Sequence, residues 1–196
     1  RIWHNGDRSS APFYYQIEEL ARQERVPFFV PEFGTLLEVR DGLRIQALNV
    51  GQLLGKGGKK KSRDNNRSLV VKVSYGEVSF LFTGDLEIEG QRALLRSETD
   101  LHSTFLKVPH HGGASSGYRE FWEQVRPKVA VISVGKYNRF GHPSSKVIQG
   151  LEALGTRIYR TDQEGCIRVV TDGKEWTVET YEERQARGRW ALVPWF

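Results

Sequence analysis

Apolar residues recur along this chain at two spacings. Phe13, Ile17, Leu20 and Ala21 fall three and four apart, which predicts an amphipathic helix over residues 13–25. Elsewhere the apolar positions alternate or run together over short stretches, as strands do. Val26–Val30 reads as a short strand. Leu36–Val39 and Leu43–Leu48 read as two strands joined by a turn at Asp41-Gly42. Leu69–Tyr75 and Val78–Phe82 flank Gly76-Glu77 as a hairpin of half-buried strands.

After residue 83 strands and helices alternate. The pattern gives a helix at Glu87–Arg96, a strand at Thr104–Val108, a helix at Gly117–Val125 and a buried strand at Val129–Val134. A further helix covers Ser144–Leu154, with Ser144 near its N-cap and Gly155 at its stop. Arg157–Thr161, Cys166–Thr171 and Trp176–Thr180 finish as strands, with turns at Gln163–Gly165 and Asp172-Gly173. This mixture predicts an α/β architecture in one domain, residues 1–180. Residues 181–196 form a tail carrying Arg184, Arg187, Arg189, Trp190 and Trp195. Residues 49–67 break the periodicity: Gly51, Gly55, Gly57 and Gly58 interleave with Lys56, Lys59, Lys60, Lys61 and Arg63. That stretch reads as a mobile basic loop, either a solvated insertion or a contact for a polyanion. There are no internal repeats.

Charge and cysteine content narrow the class. The net charge of +5 and pI near 9.4 suit a polyanionic partner without requiring one. The single Cys166 excludes an internal disulfide framework and a cysteine-based zinc site, and predicts a small apolar residue packed within a strand. No apolar run approaches the roughly 18 residues needed to span a bilayer, and no signal peptide opens the chain. The first residue is Arg1, which suggests a fragment; a membrane-embedded parent stays open.

Three strand-like runs end in residues that ligate metals. Thr83-Gly84-Asp85 closes one, Lys107-Val108-Pro109-His110-His111-Gly112-Gly113 a second, and Asn138-Arg139-Phe140-Gly141-His142-Pro143 follows a third. Asp85 reads either as an N-cap for the helix at residues 87–96 or as a carboxylate bridging two metal ions. His110 and His111 are adjacent, so on an extended backbone they point in opposite directions, one toward the site and one into the loop. Ser115 and Ser116, with the neighbouring glycines, suit a phosphate oxygen. His142 reads as a metal ligand or as a loop hydrogen bonder. Lys107, Lys136 and Asn138 lie where they could contact an anionic substrate, or are ordinary solvated side chains. His4 and His102 read as surface histidines. No Gly-rich nucleotide loop and no nucleophile elbow occurs.

These stretches carry a resemblance. Asn65-Asn66-Arg67-Ser68-Leu69-Val70, Leu81-Phe82-Thr83-Gly84-Asp85, Leu106–Gly112, Val131–Gly135, Asn138–Pro143 and Tyr159–Gly165 closely resemble the metallo-β-lactamase-like domain of ComEC-type competence proteins. The likeness covers roughly residues 65–180; residues 1–64 match more loosely, as the preceding part of the same domain. It implies an αββα sandwich and a multipass membrane parent that takes up DNA, with this domain degrading one strand. It further implies two divalent ions, manganese or zinc, with Asp85 as the bridging carboxylate and His142 as a late ligand. His110 and His111 match the family's histidine pair, and Asn66 and Ser68 a polar pair near the site.

The family's early half carries an Asp-Val-Gly-Gln-Gly segment and a His-x-His-x-Asp-His motif, and this chain has neither. Asn49-Val50-Gly51-Gln52 lies too late and lacks the acid. The sequence is therefore expected to be the C-terminal part of such a domain, or a lineage that has lost activity. Its partners would be single-stranded DNA, the membrane channel and the missing N-terminal half of the domain. The site would face the extracellular or periplasmic side. Lys59, Lys60 and Lys61 would steer the DNA backbone. The leading expectation is a metal-dependent nuclease. The alternatives are a DNA-binding module without catalysis and a hydrolase of a small phosphodiester.

Overall fold

Side-chain alternation along the central strands divides the molecule into three layers. The structure, a computed structural model, describes residues 1–7, 11–54 and 64–186. A short parallel pair, β1 (Ile2–Trp3) and β2 (Phe28–Phe29), stands apart. The main sheet has seven strands in sequence order: β3 (Leu36–Glu38), β4 (Arg44–Asn49), β5 (Leu69–Tyr75), β6 (Val78–Phe82), β7 (Phe105–Lys107), β8 (Val129–Ile132) and β9 (Arg157–Arg160). Pairs from β3 to β6 are antiparallel and pairs from β6 to β9 parallel. A hairpin of β10 (Ile167–Thr171) and β11 (Trp176–Thr180) forms its own small sheet. The helices are α1 (Pro12–Gln23), α2 (Ile88–Arg96), α3 (Arg119–Val125), α4 (Ser145–Glu152), α5 (Thr161–Glu164) and α6 (Tyr181–Ala186).

Successive residues on a strand face opposite sides, so the parallel strands feed two cores. Leu81, Leu106, Ala130 and Ile132 turn to the helices and pack with Leu94 of α2, Phe121 and Trp122 of α3, and Val147 and Leu151 of α4. Val78, Phe105, Val129 and Tyr159 turn the other way, against Ile167, Val169, Trp176 and Val178 of the hairpin. There Phe105 stacks on Phe80 at 4.7 Å and meets Trp176 edge-on at 5.0 Å. Each fully buried aliphatic or aromatic side chain contributes about 1.5–3 kcal/mol of transfer free energy.

The strands β5 and β6 and the turn between them lie where the periodicity predicts, and Ser144 caps α4 by accepting from the Val147 amide. Other expectations are corrected. The strand expected over Val26–Val30 shrinks to two residues paired with β1. Thr161 opens a single helical turn instead of ending a strand, and its hydroxyl accepts the Val134 amide. The helix expected from Gly117 begins at Arg119, after a 3-10 turn at Ala114–Ser116. Cys166 is exposed just before β10, not packed inside a strand. His4 is not a plain surface residue: its ring lies 4.4 Å from that of Phe28, while His102 is exposed as expected.

The helix α1 forms, but its apolar stripe stays in the open. Phe13, Ile17 and Leu20 are exposed and only Ala21 is buried, because the helix meets β2 through Tyr14, whose ring lies 6.2 Å from that of Phe28. Lys56, Lys59, Lys60, Lys61 and Arg63, and the tail beyond Ala186, lie outside the described residues. No helix among the described residues is long and apolar enough to cross a membrane.

Candidate functional site

Parallel pairing brings the carboxyl ends of β6, β7 and β8 to one edge of the sheet, where open sheets place their ligands. Asp85 follows β6, His110 and His111 follow β7, and His142 stands between β8 and α4. Backbone hydrogen bonds tie these loops together. The His110 amide donates to Gly84 O at 3.1 Å, and the Ser144 amide donates to Gly112 O at 2.9 Å. Thr83, wholly buried, donates its hydroxyl to Lys107 O at 2.7 Å.

The histidine pair does not sit on extended backbone. His110 and His111 both adopt left-handed conformations, at φ 47° and 53°, inside a tight turn. Each costs about 1–2 kcal/mol locally, a strain that the cross-loop bonds offset. The consequence is that both rings stay at the same edge, with centroids 6.3 Å apart, instead of diverging to opposite faces. His110 and His142 are closer still, at 5.6 Å. Two glycines make room for this. Gly84, at φ 55°, lies where a Cβ would strike Ser68, and a Cβ on Gly113 would come within 2.9 Å of the His142 ring.

Hydrogen bonding fixes what each ring offers. His111 Nδ1 lies 2.7 Å from Ser133 O, a carbonyl that can only accept, so that nitrogen carries the proton. In the neutral ring the lone pair of Nε2 then faces Asp85 Oδ1 at 3.6 Å. Two facing acceptors suit a proton or a cation between them, and a histidine anchored through its far nitrogen is how proteins orient metal-binding imidazoles. His110 Nδ1 is 3.3 Å from Ser115 Oγ and 3.4 Å from Glu87 Oε1. The same Glu87 oxygen accepts from Asn65 Nδ2 at 3.0 Å. His142 is held by its backbone: Asn138 accepts from its amide and donates to its carbonyl, both at 2.9 Å. Burial, followed by the neighbouring His110 and His111, pushes the His142 imidazole below its usual value. Burial also lowers the Lys107 ammonium, which Asp85 partly opposes, and its Nζ donates to Val108 O at 3.2 Å.

Several candidates support the site without facing it. Asp85 does not cap α2. Glu87 occupies the N-cap position, and the wholly buried Asn66 does the capping from a distance, its Oδ1 accepting from the amides of Glu87 at 3.0 Å and Gly90 at 2.8 Å. Ser68 Oγ donates to Asn65 O and accepts from the Asp85 amide at 3.1 Å, so it sets the aspartate's backbone. Ser116 is buried and bonds Gly113 O. Burial removes Asn66 and Ser116 from any surface that DNA could touch. Asn138 serves mainly as a loop brace. Lys136 and Ser115 are exposed, Ser115 beside the His110 ring.

Glu87 and Phe140 belong to this edge and were missed as site residues. Glu87 lies two residues after Asp85, a spacing that by itself reads as a helix start. Phe140 stacks on His142 at 5.8 Å, interplanar 23°. Among the described residues, no three His, Cys, Asp or Glu side chains gather closely enough to enclose a metal ion. Asp85 and His111 supply an incomplete donor set.

Comparison with known proteins finds relatives of the chain. The chain is 34% identical to ComE operon protein 3 of Bacillus subtilis over 172 residues, 88% of its length. It is 33% identical to competence protein ComA of Neisseria gonorrhoeae over 60% of its length. It is 32% identical to recombination protein 2 of Haemophilus influenzae over 68% of its length. The alignments cover 21%, 17% and 16% of those proteins, so the chain spans about a fifth of the length of its relatives. No family model matches it.

Proposed function

Because this chain belongs to the ComEC-type competence proteins, as one segment of them, we propose that it handles a DNA strand during uptake as part of a metal-dependent phosphodiesterase. The observation that carries this reading is the meeting of Asp85, His110, His111 and His142 at one sheet edge. Asp85 and His111 would hold a divalent ion, manganese or zinc, and His142 would join the donor set only together with ligands from the rest of the domain. Such an ion supplies charge neutralisation at a phosphate and an activated water. His110, oriented by Glu87 and Ser115, stands in reach of that edge as a proton acceptor or donor. Lys107 and Lys136 bring positive charge toward the backbone of the strand.

The layered sheet, with helices on one face, fits the second half of an αββα metallo-β-lactamase-like sandwich. The remaining ligands would come from the rest of that domain, in a membrane-associated parent with this segment on its outer side. A second reading, a DNA-binding part that does not cut, is favoured by the incomplete donor set.

The test exchanges this chain for the matching segment of the Bacillus subtilis relative. The purified chimera should cleave a single-stranded oligonucleotide when manganese or zinc is added. Asp85→Ala should reduce cleavage by more than the roughly 10–100-fold cost of losing an outer partner of a metal ligand, with unchanged binding in EDTA. A chimera that binds the strand and supports transformation equally well with and without the Asp85→Ala change would leave only the second reading.

A further inference from the structure

The loop from Gly135 to Gly141 holds two aromatic side chains out in solvent. Tyr137 is 88% exposed and Phe140 79% exposed, more than any other large apolar residue described. The exposure is built in, because the loop is braced. Asn138 donates to Gly135 O and His142 O and accepts from the His142 amide, and its own amide donates to Gly135 O. Next to the two aromatic residues in the chain come Lys136 and Arg139, both exposed and without an ion-pair partner among the described residues. Phe140 leans on His142, whose ring lies 5.6 Å from that of His110.

We propose that Tyr137 and Phe140 form a stacking platform for unpaired nucleobases, seating the base next to the phosphate held at the histidine edge. The inference rests on the DNA-handling reading above and deepens it by naming the side chains that seat the unpaired bases of the strand. Aromatic rings interleaved with cations are what a single strand requires. The cations track its backbone, and every base offers a π-face to a ring. Paired bases in a duplex have no free face, so the platform discriminates by base pairing and not by sequence. A membrane surface also takes aromatic residues beside lysine and arginine. The contact between Phe140 and His142 favours the nucleobase, because it joins the platform to the candidate site.

The experiment measures fluorescence anisotropy of the chain with three labelled probes in EDTA at fixed salt: an oligothymidine, an abasic strand of equal length, and a blunt duplex. The oligothymidine should bind about tenfold more tightly than the abasic strand. Phe140→Ala and Tyr137→Ala should each remove most of that advantage and leave the abasic and duplex affinities unchanged. Phe140→Trp should restore it. Both side chains are exposed, so thermal melts of the variants should match the parent. Equal binding of the thymidine and abasic strands overturns the platform while leaving the DNA-handling reading intact. Failure to bind any probe overturns both. Co-sedimentation with phosphatidylglycerol vesicles completes the test: if Phe140→Ala abolishes vesicle binding but spares the thymidine advantage, the loop is a membrane contact and the inference falls.

Discussion

Phe13, Ile17 and Leu20 share one face of α1 as Leu81, Leu106 and Ile132 of β6, β7 and β8 share one face of the sheet, yet only the second set is buried. The strand residues sit between a sheet and three helices. The helix residues stand at least half exposed. The difference teaches that periodicity sets which face is apolar, while burial requires something to cover it. The same contrast separates Phe121, sealed in the core, from Phe140, held in solvent by a braced loop.

The sharpest test of this contrast deletes a core ring. Phe121→Ala should lower the free energy of unfolding in urea by about 3–5 kcal/mol, through lost transfer energy and a residual cavity. A loss under about 1 kcal/mol would mean that the helical layer is not a packed core. Next in size is Asn66→Ala, which leaves the Glu87 and Gly90 amides without their shared acceptor. It should cost about 1–3 kcal/mol. It should also loosen Glu87, so the His110 ring resonances in an NMR spectrum should shift in this variant and not in a distant control such as Thr177→Ala.

A smaller effect belongs to Lys72, buried on the sheet and joined to Asp100 at 2.8 Å. Hydrogen bonding from Lys72 holds the Asp100 carboxyl below its ordinary value. A depressed carboxyl contributes stability that is full above its unfolded value of about 3.9 and is lost as pH falls below it. The parent should therefore lose more stability over that acid range than Asp100→Asn does. Parallel urea midpoints for the two proteins would sink the assignment. The smallest effect is expected in α1. Ile17→Asn should change stability by no more than about 0.5 kcal/mol. Amides of α1 should also exchange faster than those of β7, measured by hydrogen exchange. A large loss at Ile17 would show that its face is covered after all.

Much of the site was legible as residue types at strand ends. Asp85, His110, His111 and His142 each follow an apolar run, and a parallel order of those strands suffices to gather them. What the pattern could not show was the backbone of the histidine turn. Two consecutive left-handed histidines have no local signal beyond the following Gly112-Gly113, and an extended reading sends the rings apart. Asn66 was legible as a polar residue near the site but not as a cap, since it serves amides 21 and 24 residues away. Tyr137 and Phe140 had a faint signal: aromatic residues between two glycines, flanked by Lys136 and Arg139, with no apolar run to join.

By itself the sequence determined the local elements, such as the β5–β6 hairpin, the Ser144 cap and the alternation that gives each parallel strand two apolar faces. Those follow from backbone preferences and spacing within a few residues. Only the tertiary structure decided which apolar faces are covered, that β6, β7 and β8 run parallel and share one edge, and that His111 presents its Nε2 to Asp85. Each of these depends on partners distant in the chain, and a contact between distant segments has no signature in the spacing of either one.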